Sequence, residues 1–264
     1  MSDPDFLTSL DSPLVNSLVF FPRPDMGFPP PADSEDWNIE VEPGIRVAAR
    51  YHPAALHLPT LLYFHGNGEI VADYDPLATT FKGCGASFVC VDYRGYGRSG
   101  GQPSIRALIE DVYPVLEAVL AHLRQRGHSG PLAVMGRSLG SAPAIELAAN
   151  RPQDIAGLIL ESGFARTLDL LQHLGIPTQF ADTAQPQGDD NADKLTRVNS
   201  PVLLLHAEYD NIIPFWHAEQ NYAQAASQQK RLIKIPNADH NTIMMFGGQT
   251  YWGAITDFLK QLSV

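Results

Sequence analysis

The chain has 264 residues, 44% of them hydrophobic, with 29 acidic against 18 basic side chains and a net charge of −11. That length and apolar fraction suit one large α/β domain. The acidic balance argues against nucleic acid and anionic membrane surfaces as partners, because both require a basic face.

No apolar run approaches a membrane span. The chain opens on the acidic Met1-Ser2-Asp3-Pro4-Asp5, and Leu18-Val19-Phe20-Phe21 is too short for a signal-peptide core. Cys84 and Cys90 make neither a disulfide framework nor a zinc site. Cys90 lies inside a predicted strand, where a buried small hydrophobe is expected. The expected setting is the reducing cytoplasm.

Residues 1–35 carry Pro29-Pro30-Pro31 and scattered acid, and read as an extended N-terminal arm with little regular structure. Leu14, Val15, Leu18, Phe20 and Phe21 suggest that part of it packs on the body. Trp37 to Val41 and Ile45 to Tyr51 read as a hairpin turned by Pro43-Gly44. Thr60 to Phe64 is a fully apolar strand ending in His65-Gly66-Asn67-Gly68, and Ala86 to Val91 is another, ending in Asp92-Tyr93-Arg94-Gly95-Tyr96-Gly97-Arg98-Ser99. Ile105, Leu108, Ile109, Val112, Leu116, Val119, Leu120 and Leu123 fall at helical spacing. Pro114 predicts a kink within that helix, and Gly127 closes it.

Leu132 to Met135 is the next strand. Gly136-Arg137-Ser138-Leu139-Gly140 follows, and then a helix through Ala142, Ala144, Ile145, Leu147 and Ala148. Strand, sharp turn and helix around G-x-S-x-G is the setting of a nucleophile elbow. The glycines allow the backbone to reverse closely, and the serine hydroxyl lands at a helix N-terminus that favours negative charge. Ala156 to Leu160 is a strand ending in Glu161-Ser162-Gly163. Residues 164–197 break the rhythm, with short helices expected over Asp169 to Leu174 and Asn191 to Val198, and leave room for a small cap or lid. Then come a strand from Pro201 to His206, a helix from Phe215 to Ala226, a strand from Arg231 to Ile235, and a closing helix from Tyr251 to Leu262. Short apolar strands alternating with amphipathic helices predict a mostly parallel sheet covered on both faces. The domain reading is an arm over 1–35 and one α/β domain over 36–264.

Ligands of open parallel sheets bind at the carboxyl ends of the strands. One strand end offers Ser138, another Asp210 and a third His240. An alcohol is a poor nucleophile at neutral pH and needs a base, which His240 supplies; Asp210 would hold its tautomer. The order Ser, Asp, His is that of α/β-hydrolases. The oxyanion donors expected are the backbone N–H groups of Leu139, after the nucleophile, and of Asn67, in the loop after Phe64.

The chain resembles serine hydrolases of the α/β-hydrolase superfamily, in the branch of small esterases, thioesterases and serine-aminopeptidase-like enzymes with reduced caps. The residues that carry the resemblance are Phe64-His65-Gly66-Asn67-Gly68, Asp92 to Ser99, Gly136 to Gly140, Asp210-Asn211-Ile212-Ile213-Pro214 and Asp239-His240-Asn241. It implies the α/β-hydrolase fold, an eight-stranded sheet whose second strand is antiparallel, and acyl-enzyme chemistry without cofactor or metal. The expected partner is a small acyl ester or thioester. The same triad acting on amides, as in an aminopeptidase, is the alternative, and a non-catalytic binding module is a third reading.

Other polar residues compete for roles. Glu161 is the rival acid, Glu208 reads as a solvated charge, and Asp239 as loop structure. His65 is expected to brace the oxyanion loop and His206 to be a satisfied core histidine. His52, His57, His122, His128, His173 and His217 show no metal-ligand spacing and read as surface. Asp92, Arg94 and Arg98 read as structural ion pairs, while Arg137 suits either an acidic substrate or a salt bridge to the body. Tyr96, Phe164, Leu168, Leu171, Phe180, Phe215 and Trp216 are candidates for the lining of an acyl pocket.

Overall fold

The computed structural model describes residues 10–176, 178 and 190–263. Eight strands form one sheet: β1 (Glu35–Glu42), β2 (Ile45–His52), β3 (Thr60–Phe64), β4 (Ser87–Val91), β5 (Leu132–Arg137), β6 (Gly157–Glu161), β7 (Val202–Ala207) and β8 (Lys230–Ile235). Their spatial order is β1-β2-β4-β3-β5-β6-β7-β8. β2 pairs antiparallel with both β1 and β4, and every pair from β4 onward is parallel.

β3 to β7 are buried along their whole length and mostly apolar, because both of their faces are covered. Alternation divides their side chains between two cores. Leu62, Val134, Leu158 and Leu204 point into one, and Leu61, Met135, Ile159 and Leu203 into the other. Cys90 is buried in the second core, where burial pushes its thiol well up. The edge strand β8 reads Lys-Arg-Leu-Ile-Lys-Ile, and its charges disfavour pairing with another sheet.

The helices are α1 (Pro13–Val19), α2 (Asp75–Gly83), α3 (Ile105–Glu110), α4 (Val112–Gln125), α5 (Ser141–Asn150), α6 (Thr167–His173), α7 (Asn191–Leu195), α8 (Trp216–Gln224) and α9 (Ile243–Leu262), with a 3₁₀ turn at Val71–Tyr74 before α2. The first face of the sheet carries α3, α4 and α5, and the second carries α2 and α9.

Four differences from the sequence reading have physical causes. The arm is not wholly extended, because Ser12 caps Val15 N–H at 3.2 Å and Pro13 opens α1 at a position where its missing donor costs nothing. The helix predicted over 105–123 is two helices. Pro114 cannot donate to Glu110, so one bond of the ladder is missing at the junction, while Asp111 keeps its own bonds with Ala107 and Val115 and its carboxylate accepts from Arg94. The last helix begins at Ile243 rather than Tyr251, since Gly248 at φ 42°, ψ −124° interrupts the helical geometry and conceals the preceding turns. The 3₁₀ turn and α2, which the sequence reading leaves out, follow directly from the loop after β3.

Within 164–197, α6 and α7 flank a stretch that lies outside the described residues, together with Phe180 and most of the polar run 183–190. No helix among the described residues is long and apolar enough to cross a membrane.

Candidate active site

β5 ends at Arg137, and Ser138 follows at φ 52°, a left-handed conformation that a side chain rarely adopts. The flanking glycines make this turn possible. A Cβ on Gly136 would lie 2.1 Å from Gly140 O, and one on Gly140 would lie 2.0 Å from Phe64 O. The elbow is thus wedged against its own helix and against the end of β3.

Two strands across, the turn after β7 carries Asp210. Its Oδ1 accepts the backbone N–H groups of Ile212 (3.1 Å) and Ile213 (2.8 Å), and its Oδ2 lies 2.7 Å from His240 Nδ1. Burial pushes this carboxyl up, but the hydrogen bond and charge of His240 and the Ile213 N–H outweigh it and hold it below the usual range. With Asp210 ionised, Nδ1 of His240 carries the proton. Nε2 is then the acceptor, 3.0 Å from Ser138 Oγ. The three residues form one buried hydrogen-bonded chain across β5, β7 and β8.

The loop that carries His240 is shaped by neighbours. Glu208, expected as a solvated charge, accepts Asn237 N–H at 3.0 Å where Asn237 turns through φ 60°. Asp239 accepts the N–H groups of Asn241 and Thr242, each at 3.0 Å, which makes it a loop brace as read from the sequence. His206 is buried and sits 2.7 Å from Ile213 O, bracing the turn that presents Asp210.

Arg137 does not face the cavity. It binds Glu69 (2.9 Å), Glu161 and the His240 carbonyl (3.2 Å). Glu161, the rival acid, is fully buried between Arg137 and the Tyr251 hydroxyl, with no hydrogen bond to His240. Arg137 therefore ties the ends of β5 and β6 to the loops of Glu69 and His240. The ion pairs of Arg94 with Glu42 and Asp111, and of Arg98 with Asp25 and Asp36, are likewise structural. His65 Nε2 lies 3.2 Å from Asp92 Oδ1, and Tyr93 donates to the His65 carbonyl at 2.5 Å, which fixes the loop after β3. Two histidines expected at the surface are instead buried. His52 packs beside Phe88, and His217 Nδ1 accepts Ala165 N–H, because each closes a gap between elements that no sequence period reveals.

Ser138 opens onto a cavity of about 460 Å³, within the usual range of small-molecule sites, roughly 300–1,000 Å³. Asn67 and Leu139 line it beside Ser138. Of the acyl-pocket candidates, Phe164 and Leu171 line it, whereas Tyr96, Leu168, Phe215 and Trp216 do not. Tyr96 is buried behind the loop, its hydroxyl donating to Asn67 Oδ1 at 2.6 Å. The lining that sequence reasoning missed comes from the arm, from Ile105, Leu108 and Ile109 of α3, and from Asp190 and Lys194. The apolar residues of the arm were the only available signal for it. Lys194 is paired with Glu146 at 2.7 Å, and Asp190 accepts the Thr167 hydroxyl at 2.7 Å and Asn191 N–H at 2.9 Å.

The fold is shared with known proteins. The family model described as serine aminopeptidase, S33, matches residues 57–174. Protein bem46 of Schizosaccharomyces pombe is 31% identical over 216 residues, which cover 77% of this chain and 68% of that protein. The α/β hydrolase domain-containing protein WAV2 of Arabidopsis thaliana is 29% identical over 220 residues, 77% of this chain and 70% of that one. Among solved structures, the Pyrococcus furiosus esterase Pf2001 superposes with a TM-score of 0.76 at 15% identity, covering 93% of this chain and 99% of that one, a likeness of fold. The chain belongs to the α/β-hydrolase superfamily.

Proposed function

We propose that the protein is a serine hydrolase that cleaves carboxylic ester or thioester bonds through an acyl-enzyme on Ser138. The observation that carries this reading is the chain Ser138 Oγ, His240, Asp210, at 3.0 and 2.7 Å, opening onto a largely apolar cavity.

In the proposed sequence, Ser138 Oγ attacks the acyl carbon while His240 Nε2 takes its proton. The oxyanion of the tetrahedral intermediate is held by the N–H groups of Asn67 and Leu139, each worth roughly 3 kcal/mol. Collapse breaks the bond to the leaving alcohol or thiol, which receives the proton from His240. Water then attacks the acyl-enzyme with His240 as base, releasing the carboxylic acid and free Ser138. Asp210 keeps Nδ1 protonated and stabilises the imidazolium.

An aminopeptidase would need a free acid to fix the substrate amine. Among the described residues the carboxylate on the cavity wall is that of Asp190, and its oxygens are engaged by Thr167 and Asn191. That favours the ester or thioester reading. The small cap or lid expected over the site would be supplied by the insertion at 164–197.

Ser138→Ala is expected to abolish turnover of p-nitrophenyl acyl esters, and unchanged activity would sink the assignment. Asp210→Asn is expected to cost about 10⁴-fold in kcat through the wrong tautomer; if Glu161→Gln did so instead, the acid would be misassigned. Faster cleavage of an aminoacyl anilide than of a matched ester would move the assignment to the amidase reading. Failure of a fluorophosphonate to label Ser138 in folded protein would revive the non-catalytic one.

A further inference from the structure

The arm is fastened to the domain at several points, two of them beside the cavity. At one, Asn67 clamps the chain after α1. Its Nδ2 donates to Val19 O at 2.5 Å, and its Oδ1 accepts Phe21 N–H at 3.0 Å. The Tyr96 hydroxyl donates to the same Oδ1 at 2.6 Å and itself accepts Phe21 N–H at 3.0 Å. At the other, Asn16 Oδ1 accepts Ile105 N–H at 3.2 Å, at the start of a helix that also lines the cavity. Beyond the cavity, Arg23 donates to Gly68 O at 2.7 Å, and Gly97 N–H donates to Arg23 O at 2.9 Å.

Leu10, Leu18, Val19, Phe20 and Phe21 of the arm line the cavity that Ser138 opens onto. Leu10 and Phe20 are buried, whereas Leu18 is 37% exposed and sits at the rim. Ile105, Leu108 and Ile109 of α3 and Leu170 and Leu171 of α6 complete the apolar part of the lining. Such walls select for methylenes and offer little to a charged or polar acyl group.

We propose that the N-terminal arm, over residues 10–21, is the wall that binds the substrate's acyl chain and sets the chain length this enzyme accepts. The substrate class is then an ester or thioester of a straight, unsubstituted fatty acyl group long enough to reach the arm. This rests on the acyl-enzyme reading above. A chain that stops at the scissile carbonyl, such as acetyl, gains nothing from the arm. Each further methylene buried against it is worth roughly fourfold in binding. Because Asn67 holds the arm by its side chain, the group that presents an oxyanion donor also fixes the specificity wall.

The test is a series of p-nitrophenyl esters from acetate to decanoate, assayed with the full chain. Leu18→Trp fills space at the rim. It is expected to lower kcat/KM for octanoate and decanoate about tenfold or more, the equivalent of about two methylenes, with acetate unchanged within about twofold. Leu14→Trp is the control, because Leu14 is 51% exposed on the same helix and does not line the cavity; its chain-length profile should match the parent. An equal loss on all esters with Leu18→Trp, or no loss on any, would overturn the proposal.

Fatty-acid binding is read separately in the Ser138→Ala background, by displacement of cis-parinaric acid with decanoate. Leu18→Trp should weaken decanoate by a similar factor; unchanged binding would overturn the proposal even if catalysis changed. If the parent binds decanoate in an arm-dependent manner but hydrolyses no ester, the function fails and the wall stands. If it hydrolyses esters with no dependence on the arm, the wall fails and the function stands.

Discussion

Ser138 sits at φ 52° because two glycines let β5, α5 and the end of β3 meet around it. A non-glycine residue in that region costs on the order of 1–3 kcal/mol, which the surrounding packing must hold in place. Gly140→Ala tests this directly, since its Cβ would fall 2.0 Å from Phe64 O. No rotamer relieves a backbone clash, so the elbow or β3 must shift. We expect a loss of about 3 kcal/mol or more of stability in urea unfolding, and much slower fluorophosphonate labelling of whatever remains folded. At this scale the sequence was most informative. Ser138, Asp210 and His240 were each expected from their positions at strand ends, and the structure brings them into hydrogen-bonded contact. The role of Arg137 was not identifiable, because its partners Glu69, Glu161 and the His240 carbonyl lie far away in sequence.

Elements meet at Arg137. It links the end of β5 to the end of β6, to the loop before α2 and to the loop before α9. Burial pushes the Glu69 carboxyl up, yet the adjacent Arg137 guanidinium and the hydrogen bonds from Tyr74 and Arg137 hold it below the usual range. Arg137→Met would leave Glu161 buried without its counter-ion. Removing one partner of such a pair typically costs about 3–5 kcal/mol, and urea unfolding should show a loss of that size. A variant as stable as the parent would mean that Tyr251 and rearranged loops satisfy Glu161 alone. At the same scale the strands were legible, since apolar runs of five or six residues bounded by glycine and proline have few other readings. Helix ends were less so. The junction at Asp111 and the start of α9 at Ile243 depend on Pro114 and Gly248 acting within particular neighbours.

For the molecule as a whole, the buried histidines set a pH dependence of stability. Burial, reinforced by the neighbouring Arg50 charge, pushes His52 down to about 4, and burial pushes His217 down to about 4. In the unfolded chain both titrate near 6.5, so below that pH the unfolded state binds more protons and is favoured. Stability should therefore hold above about pH 6.5 and fall as the pH drops toward 4, by up to about 1.4 kcal/mol per pH unit for each histidine. Urea unfolding between pH 7.5 and 4.5 checks this. His217→Gln should flatten the slope, and an unchanged slope would rule out His217 as a contributor.

Local pattern determined the alternating architecture, the eight strands, the elbow and the order of its partner residues, because strand periodicity, glycine turns and residue chemistry act within a few positions of each other. What only the tertiary structure decided is which distant groups share a space. Arg137 turned inward because two carboxylates wait for it there, His52 and His217 sank because they fill gaps between elements, and the arm became a wall because Asn67 and Asn16 fasten it beside the cavity. Each of these is a contact between chain segments set by the path of the sheet, and such contacts leave no period in the sequence.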